Sequence, residues 1–185
     1  MSKGTLYVYS GASGVGKGTV MKILLEKDKN LRLSVSATTR QPREGEIDGV
    51  HYYFVSDKEF DKMIEEDGFL EHAEYCSHKY GTPKKPVFDM LDKGIDVILE
   101  IDIKGFLQVK EKYPECVTIF LMPPSMDELK RRLKKRGTES NEVISQRLKQ
   151  AEFELPHQKY FDYCVLNDDS DRAAEEILSI ISNKK

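Results

Sequence analysis

The stretch Gly11-Ala-Ser-Gly-Val-Gly-Lys17-Gly-Thr19 decides how the rest of the chain is interpreted. It has the spacing Gly-x-x-x-x-Gly-Lys of a phosphate-binding loop, and it lies between a strand-like run, Thr5–Ser10, and a helical run, Val20–Glu26. In that setting backbone N–H groups turn toward phosphate oxygens, and Lys17 reaches the terminal phosphates. An ordinary glycine-rich turn is the alternative, and the strand–loop–helix context disfavours it. The predicted nucleotide contacts are Gly11, Ala12, Ser13, Gly14, Val15, Gly16, Lys17, Gly18 and Thr19.

The position after the lysine departs from most phosphate-binding loops. Most have Ser or Thr there to coordinate Mg²⁺, whereas this chain has Gly18. Thr19 follows, but on a helix its side chain points elsewhere. The sequence therefore predicts that Mg²⁺ arrives with the nucleotide and is held mainly by phosphate and water, which suits an ion that keeps much of its hydration shell.

Short aliphatic runs alternate with helical spacing along the chain. Besides Thr5–Ser10, buried strands are predicted at Ile95–Asp102, Val117–Met122 and Tyr163–Asn167, with a weaker candidate at Leu31–Ser36. Apolar strands separated by helices indicate a mostly parallel sheet that is covered on both faces. We therefore predict an α/β protein with the three-layer P-loop NTPase fold and a mostly parallel, five-stranded core sheet.

Several helix ends are marked in the sequence. Ser56–Glu59 and Ser125–Glu128 both have the spacing of a capping box. A helix over Asn141–Leu155 should end before Pro156, whose ring disfavours a helical residue ahead of it. A last helix is predicted over Arg172–Ile181.

The stretch from Ser36 to about Thr82 interrupts the alternation with polar, aromatic and turn residues. His51–Ser56 and Phe69–Tyr75 are predicted as strands on either side of the first capped helix, which indicates a small inserted α+β lobe. The predicted organisation is a single domain with a core at 1–35, 83–124 and 156–185, an inserted lobe at 36–82 and a helical segment at 125–155.

Composition excludes several classes of protein. The 29 Lys and Arg residues nearly balance 32 Asp and Glu, so the basic excess of a dedicated nucleic-acid-binding protein is missing. No apolar run approaches the roughly 20 residues that span a bilayer. The three cysteines are far apart and have no zinc spacing, which fits a reducing compartment. We predict a cytoplasmic globular protein that binds neither nucleic acid nor membrane.

A second group of chemistry-bearing residues follows the second strand. Arg40 and Arg43 flank a proline, and Tyr52 is near them in sequence. Forked guanidinium donors and a hydroxyl can hold a phosphate dianion, although a solvated loop of ordinary charges explains the spacing equally well. Glu71 considered alone would be interpreted as a surface carboxylate.

The segment Ser34–Phe54 closely resembles the guanylate kinase family. The resemblance continues through Phe69–Tyr75, Tyr80–Thr82, Val97–Gly105, Arg136–Glu139 and Asn167–Asp169, and so covers essentially the whole chain. It implies ATP-dependent phosphorylation of GMP to GDP in purine nucleotide metabolism, with dGMP as a further acceptor and Mg²⁺ accompanying ATP. A monomer and a homodimer are both left open.

The resemblance assigns the acceptor nucleotide to matching positions of this chain. The GMP phosphate is assigned to Arg40, Arg43, Tyr52 and Tyr80, and the guanine base to Ser36, Glu71 and Thr82. A carboxylate can accept the adjacent N1–H and N2–H donors of guanine as a pair. Adenine has no N1–H, so Glu71 would discriminate against AMP.

Two acidic residues end a predicted strand at the edge where ligands of open α/β sheets bind. The resemblance assigns Glu100 and Asp102 to GMP contacts, and Asp102 also to Mg²⁺ through water. Many members of the family have Asp where this chain has Glu100, whose reach is one methylene longer. Alternatively, both acids cap the next helix.

Six basic residues lie within Lys130–Arg136. The resemblance assigns Arg132, Arg136 and Arg147 to a lid over the ATP phosphates, where with Lys17 they would stabilise the transferring group. Nucleic-acid binding is the alternative for the basic run, and the acidic balance of the remaining chain disfavours it. Asn167 is assigned to the neighbourhood of the adenine, although it could instead cap a turn.

The sequence leaves two other functions open. A kinase for another monophosphate, such as AMP or dUMP, is suggested by the Gly-Lys-Gly-Thr sequence, which also occurs in adenylate kinases. A scaffold module is the second, because some guanylate kinase-like domains have lost catalysis. Such domains have typically lost the phosphate-binding loop, which this chain retains.

Overall fold

The computed structural model describes residues 2–135 and 140–184 of the chain. The strands are β1 (Leu6–Gly11), β2 (Leu31–Leu33), β3 (Ala37–Thr38), β4 (Tyr53–Phe54), β5 (Phe69–Tyr75), β6 (His78–Pro83), β7 (Asp96–Glu100), β8 (Val117–Met122) and β9 (Tyr163–Leu166). The α-helices are α1 (Lys17–Lys27), α2 (Asp57–Glu65), α3 (Lys84–Leu91), α4 (Ile103–Lys112), α5 (Met126–Lys135), α6 (Asn141–Glu154) and α7 (Ser170–Ser182). A 3₁₀ helix spans Leu155–Tyr160.

Five strands form a sheet in the order β2-β7-β1-β8-β9. The pairings of β1 with β8 and of β8 with β9 are parallel, so the predicted mostly parallel core sheet is confirmed. Strand β8 coincides with its predicted range, and the other four begin or end within a few residues of theirs.

A second sheet of four strands has the order β4-β3-β6-β5. Helix α2 follows β4, and its Phe60 stacks on Phe69 of β5 with ring centroids 4.4 Å apart. Strand β6 was not predicted as a strand. It pairs antiparallel with β5 through a hairpin whose two turn residues, Cys76 and Ser77, both have positive φ angles of 49° and 60°.

By its internal packing the chain divides into two compact units. The first comprises the residues up to Leu6 together with Arg32–Cys116, and the second comprises Tyr7–Leu31 together with the described residues from Val117 onward. The predicted boundaries of core, lobe and lid follow a different scheme and stay predictions.

The two capping boxes that the sequence predicts differ in how completely they form. Ser56 and Glu59 form the complete predicted box at the start of α2. At the start of α5, Ser125 Oγ accepts the Glu128 N–H at 3.1 Å, but the Glu128 carboxylate binds Arg131 and Arg132. Helix α6 ends at Glu154 and continues as 3₁₀ helix. No helix among the described residues is long and apolar enough to cross a membrane.

Candidate functional site

The phosphate-binding loop connects β1 to α1 in the second unit. Gly14 and Gly16 have φ angles of +81° and +101°, a backbone region that glycine enters without steric cost. A Cβ on Gly14 would also lie 2.7 Å from Cδ2 of Leu133 on α5. The glycines therefore satisfy both the turn and the packing of α5 on the loop.

Lys17 lies over its own loop. Its Nζ donates to the carbonyl oxygens of Gly11 at 2.7 Å and Ala12 at 3.4 Å. A cavity of about 380 Å³ opens here, and Arg147 of α6 lines it together with Lys17 and the loop. Lys17 and Arg147, two of the four residues predicted to act on the transferred phosphoryl group, therefore share one cavity.

A carboxylate that sequence reasoning missed holds this loop from α6. Glu154 is only 6% exposed, and its Oε2 accepts the backbone N–H of Ser13 at 2.7 Å. Its Oε1 accepts from the Gln150 amide at 2.9 Å. The backbone donor of Ser13, one of the predicted nucleotide contacts, is thus already paired within the protein.

A second cavity of about 450 Å³ borders the same loop and is lined by Arg132, Lys135 and Asn167 among others. Arg132 donates to the carbonyl of Asn167 at 2.8 Å and to Glu128 Oε1 at 2.8 Å. The guanidinium groups beside Glu128 lower the pKa of that carboxyl to about 2. Predicted residue Arg136 lies outside the described residues.

Asn167 has a structural contact that its predicted role near adenine does not require. It is 1% exposed, and its side-chain Nδ2 donates to the carbonyl of Val15 at 2.7 Å. The residue therefore braces the phosphate-binding loop while it lines the neighbouring cavity.

In the first unit a cavity of about 320 Å³ contains six of the residues predicted for the acceptor nucleotide. They are Ser36, Tyr52, Glu71, Tyr80, Glu100 and Asp102. Sequence reasoning missed further lining residues, including Tyr75 and Lys104. Tyr75 follows the alternation of β5, but no sequence signal placed it at a cavity.

Glu71 is positioned by the pairing of β5 with β6. This pairing places Glu71 opposite Thr82, whose Oγ1 donates to Glu71 Oε1 at 2.6 Å. Thr82 is fully buried and lies behind the carboxylate. Burial, with a smaller contribution from the charge of Asp102, raises the pKa of Glu71, and the hydrogen bond from Thr82 opposes that shift.

Asp102 performs the helix-capping role that was the alternative to ligand binding. Its Oδ1 accepts the backbone N–H of Gly105 at 2.8 Å, at the start of α4. It lines the cavity as well, so capping fixes the carboxylate at the cavity edge. Glu100, at the end of β7, is exposed and lines the same cavity.

The predicted phosphate clamp is partly assembled beside this cavity. The Arg40 guanidinium lies 5.5 Å from the ring centroid of Tyr52, and the rings of Tyr52 and Tyr80 are 6.2 Å apart. Arg40 is bound to Glu46, a residue that sequence reasoning missed. The Arg43 side chain is exposed, and its backbone N–H also donates to Glu46.

The loop suits a metal ion that is held mostly by its nucleotide. The described residues contain no group of three or more His, Cys, Asp or Glu side chains that could hold a metal. A Cβ on Gly18 would have no atom within 4 Å, so the position after the lysine has room for a side chain but supplies no hydroxyl. These residues fit a Mg²⁺ ion that keeps phosphate and water ligands.

The loop after β1, the parallel sheet and the basic side chains around the loop define a P-loop nucleotide-binding protein. A sequence profile of guanylate kinase matches residues 3–184. The guanylate kinase of Caldanaerobacter subterraneus subsp. tengcongensis is 58% identical over 183 residues, which cover 99% of this chain and 89% of that protein. The chain belongs to the guanylate kinase family.

Other comparisons agree with that membership. The guanylate kinase of Clostridium tetani is 55% identical over 185 residues, covering 100% of this chain and 88% of that protein. The crystal structure of guanylate kinase from Anaplasma phagocytophilum superimposes with a TM-score of 0.77 at 38% identity, over 99% of this chain and 87% of the other.

Proposed function

We propose that this chain transfers the terminal phosphoryl group of ATP to GMP, giving ADP and GDP, and that it also accepts dGMP. The observation that carries the proposal is Glu71, a buried carboxylate held by Thr82 at the wall of the first unit's cavity. Its place in a chain that also has an intact phosphate-binding loop supports a kinase acting on a guanine nucleotide.

Guanine recognition is assigned to the cavity of the first unit. Glu71 accepts the N1–H and N2–H of the base, and Ser36 contributes a hydroxyl. Thr82 positions Glu71 by donating to Oε1, an oxygen that can accept a second hydrogen bond from the base. Adenine would leave this buried carboxylate poorly paired, and a site built on polar matching rejects such a ligand strongly.

The acceptor phosphate is assigned to Arg40, Arg43, Tyr52 and Tyr80. Arginine forks match phosphate oxygens in pairs, and a tyrosine hydroxyl adds a directional donor. Glu100 and Asp102 are assigned to the remaining edge of the nucleotide, with Asp102 reaching Mg²⁺ through water.

ATP is assigned to the second unit. The loop Gly11–Thr19 holds its phosphates, and Lys17 with Arg132, Arg136 and Arg147 neutralises charge on the transferred group. Asn167 borders the adenine. Mg²⁺ bound with ATP supplies further neutralisation of the phosphate oxygens.

Initial rates with GMP, dGMP, AMP and UMP at saturating MgATP test the proposal. We expect GMP to have the highest kcat/KM, with dGMP next. The variant Lys17→Met is the control for the ATP site, and its kcat should fall by roughly 10²-fold or more while GMP binding persists. A higher kcat/KM for AMP than for GMP would overturn the guanine assignment, and GMP binding without turnover would favour a scaffold module.

A place in the cytoplasm and a monomeric or homodimeric state stay predictions from the sequence.

A further inference from the structure

The Arg40 guanidinium is bound end-on by a carboxylate that no motif indicated. Arg40 Nη2 donates to Glu46 Oε1 at 2.8 Å, and Nη1 donates to Glu46 Oε2 at 3.0 Å. The two side chains are only 13% and 19% exposed. A two-pronged pair with this little exposure restrains both side chains far more than a solvated surface pair does.

Glu46 also closes the turn that carries the second arginine. Its Oε2 accepts the backbone N–H of Arg43 at 2.7 Å, while its own N–H donates to the Arg43 carbonyl at 3.0 Å. Gly45 lies inside this turn with a φ angle of +83°. One carboxylate therefore connects the Arg40 side chain to the backbone at Arg43.

The Arg40 guanidinium lies beside Tyr52, which lines the predicted acceptor cavity. Glu46 and the Gln41 carbonyl engage three of its five N–H donors. Its face lies against the rings of Tyr52 and Phe54, and the ring of Tyr80 packs edge-on to Tyr52 with centroids 6.2 Å apart. Because the guanidinium is rigid and planar, the contact with Glu46 also restrains the donors that Glu46 does not use.

We propose that Glu46 is a positioning residue for the acceptor phosphate, because it holds Arg40 and the Arg43 turn in the arrangement that binds a phosphate dianion. The inference rests on the proposed function, which assigns that phosphate to Arg40. An arginine that is already ordered loses less conformational freedom when the ligand binds, so its contacts yield more affinity. The same guanidinium holds the pKa of Glu46 at about 2, so the carboxylate stays charged at neutral pH.

Binding of GMP and of guanosine to the full chain tests this role. Glu46→Ala should raise the Kd for GMP roughly 10-fold to 100-fold, since the loss of a hydrogen bond to a charged group costs about that factor in affinity. The Kd for guanosine should stay within about twofold, because guanosine has no phosphate for Arg40 to bind. Glu46→Gln keeps one carbonyl acceptor and should fall between Glu46→Ala and the parent chain. It also serves as the test protein if Glu46→Ala does not fold.

Glu44→Ala is the matched control, because Glu44 is an exposed carboxylate two residues away. Its Kd for GMP should stay within about twofold of the parent value. If Glu46→Ala weakened the binding of GMP and of guanosine by the same factor, Glu46 would have only a general structural role. Tighter GMP binding would show instead that Glu46 competes with the phosphate, and either result overturns the proposal.

The variant Arg40→Ala separates this inference from the proposed function. If Arg40→Ala leaves the Kd for GMP unchanged, the phosphate assignment itself fails. If Arg40→Ala weakens GMP binding but Glu46→Ala does not, only the positioning role fails. Because part of its effect passes through Arg40, Glu46→Ala should raise the Kd by a smaller factor in the Arg40→Ala variant than in the parent chain.

Discussion

Gly105→Ala tests whether the exact placement of Glu71 determines the use of GMP. Gly105 lies in the first turn of α4, where a Cβ would come within 2.9 Å of Glu71 Oε2 and 3.3 Å of both Glu71 Cδ and Ile101 Cβ. Ordinary contact begins near 3.4 Å, so the carboxylate has to retreat by about 0.5 Å. Its other oxygen is held by Thr82, so the movement tilts the acceptor pair.

The expected magnitude follows from that displacement. A misplacement of about 1 Å can cost 10²-fold in rate, so about 0.5 Å should lower kcat/KM for GMP roughly tenfold, or about 1.4 kcal/mol. The free energy of unfolding should change by less than about 1 kcal/mol, because the helix preference for Ala over Gly offsets the crowding.

Steady-state kinetics with GMP and IMP provide the assay. IMP keeps the N1–H of the base but lacks the N2–H, so it uses only part of the Glu71 acceptor pair. We expect Gly105→Ala to narrow the preference for GMP over IMP while KM for ATP stays within about twofold. The reasoning would be refuted if neither the ratio of kcat/KM for GMP to kcat/KM for IMP nor the KM for GMP changed.

Two further variants test the buried carboxylates. Because burial raises the pKa of Glu71, this group contributes stability below its ordinary pKa of 4.5 that is lost as the pH rises through the raised value. At pH 8, Glu71→Gln should therefore unfold at a higher urea concentration than the parent chain. Its kcat/KM for GMP should fall about 10³-fold or more. An unfolding midpoint at a lower urea concentration than that of the parent chain would contradict this linkage. Glu154→Ala leaves the Ser13 N–H without its acceptor, which should cost about 1–3 kcal/mol and lower Tm by several degrees, with a raised KM for ATP. Glu154→Gln keeps a carbonyl acceptor as the control, and an Ala variant with the parent Tm would show that the bond has no stabilising effect.

Local sequence patterns were sufficient to predict those features whose interactions are confined to residues close together in the sequence. The phosphate-binding loop, the complete capping box at Ser56 and the ranges of β5 and β8 follow from side-chain periodicity and hydrogen bonding within a few positions. The box at Ser125 forms only in half, because Arg131 and Arg132 draw the Glu128 carboxylate into charge-assisted hydrogen bonds.

Strand β6 was missed for a physical reason. Its hairpin turn is Cys76–Ser77, which lacks the Asn or Gly that usually marks two residues with positive φ. The strand itself contains Gly81 and Pro83, which are both depleted in strands. Without β6, the contact between Thr82 and Glu71 could not be deduced.

The sequence by itself determined the nucleotide-binding loop, the alternation of strands and helices and, through the resemblance, the family. These depend on backbone geometry and short spacings that a linear pattern records. Only the tertiary structure decided which hydrogen-bond donor each buried carboxylate accepts from. Glu154 binds Ser13 across 141 positions, and Thr82 holds Glu71 through strand register. Hydrogen bonds act over about 3 Å whatever the separation along the chain, so the fold alone determines such pairings.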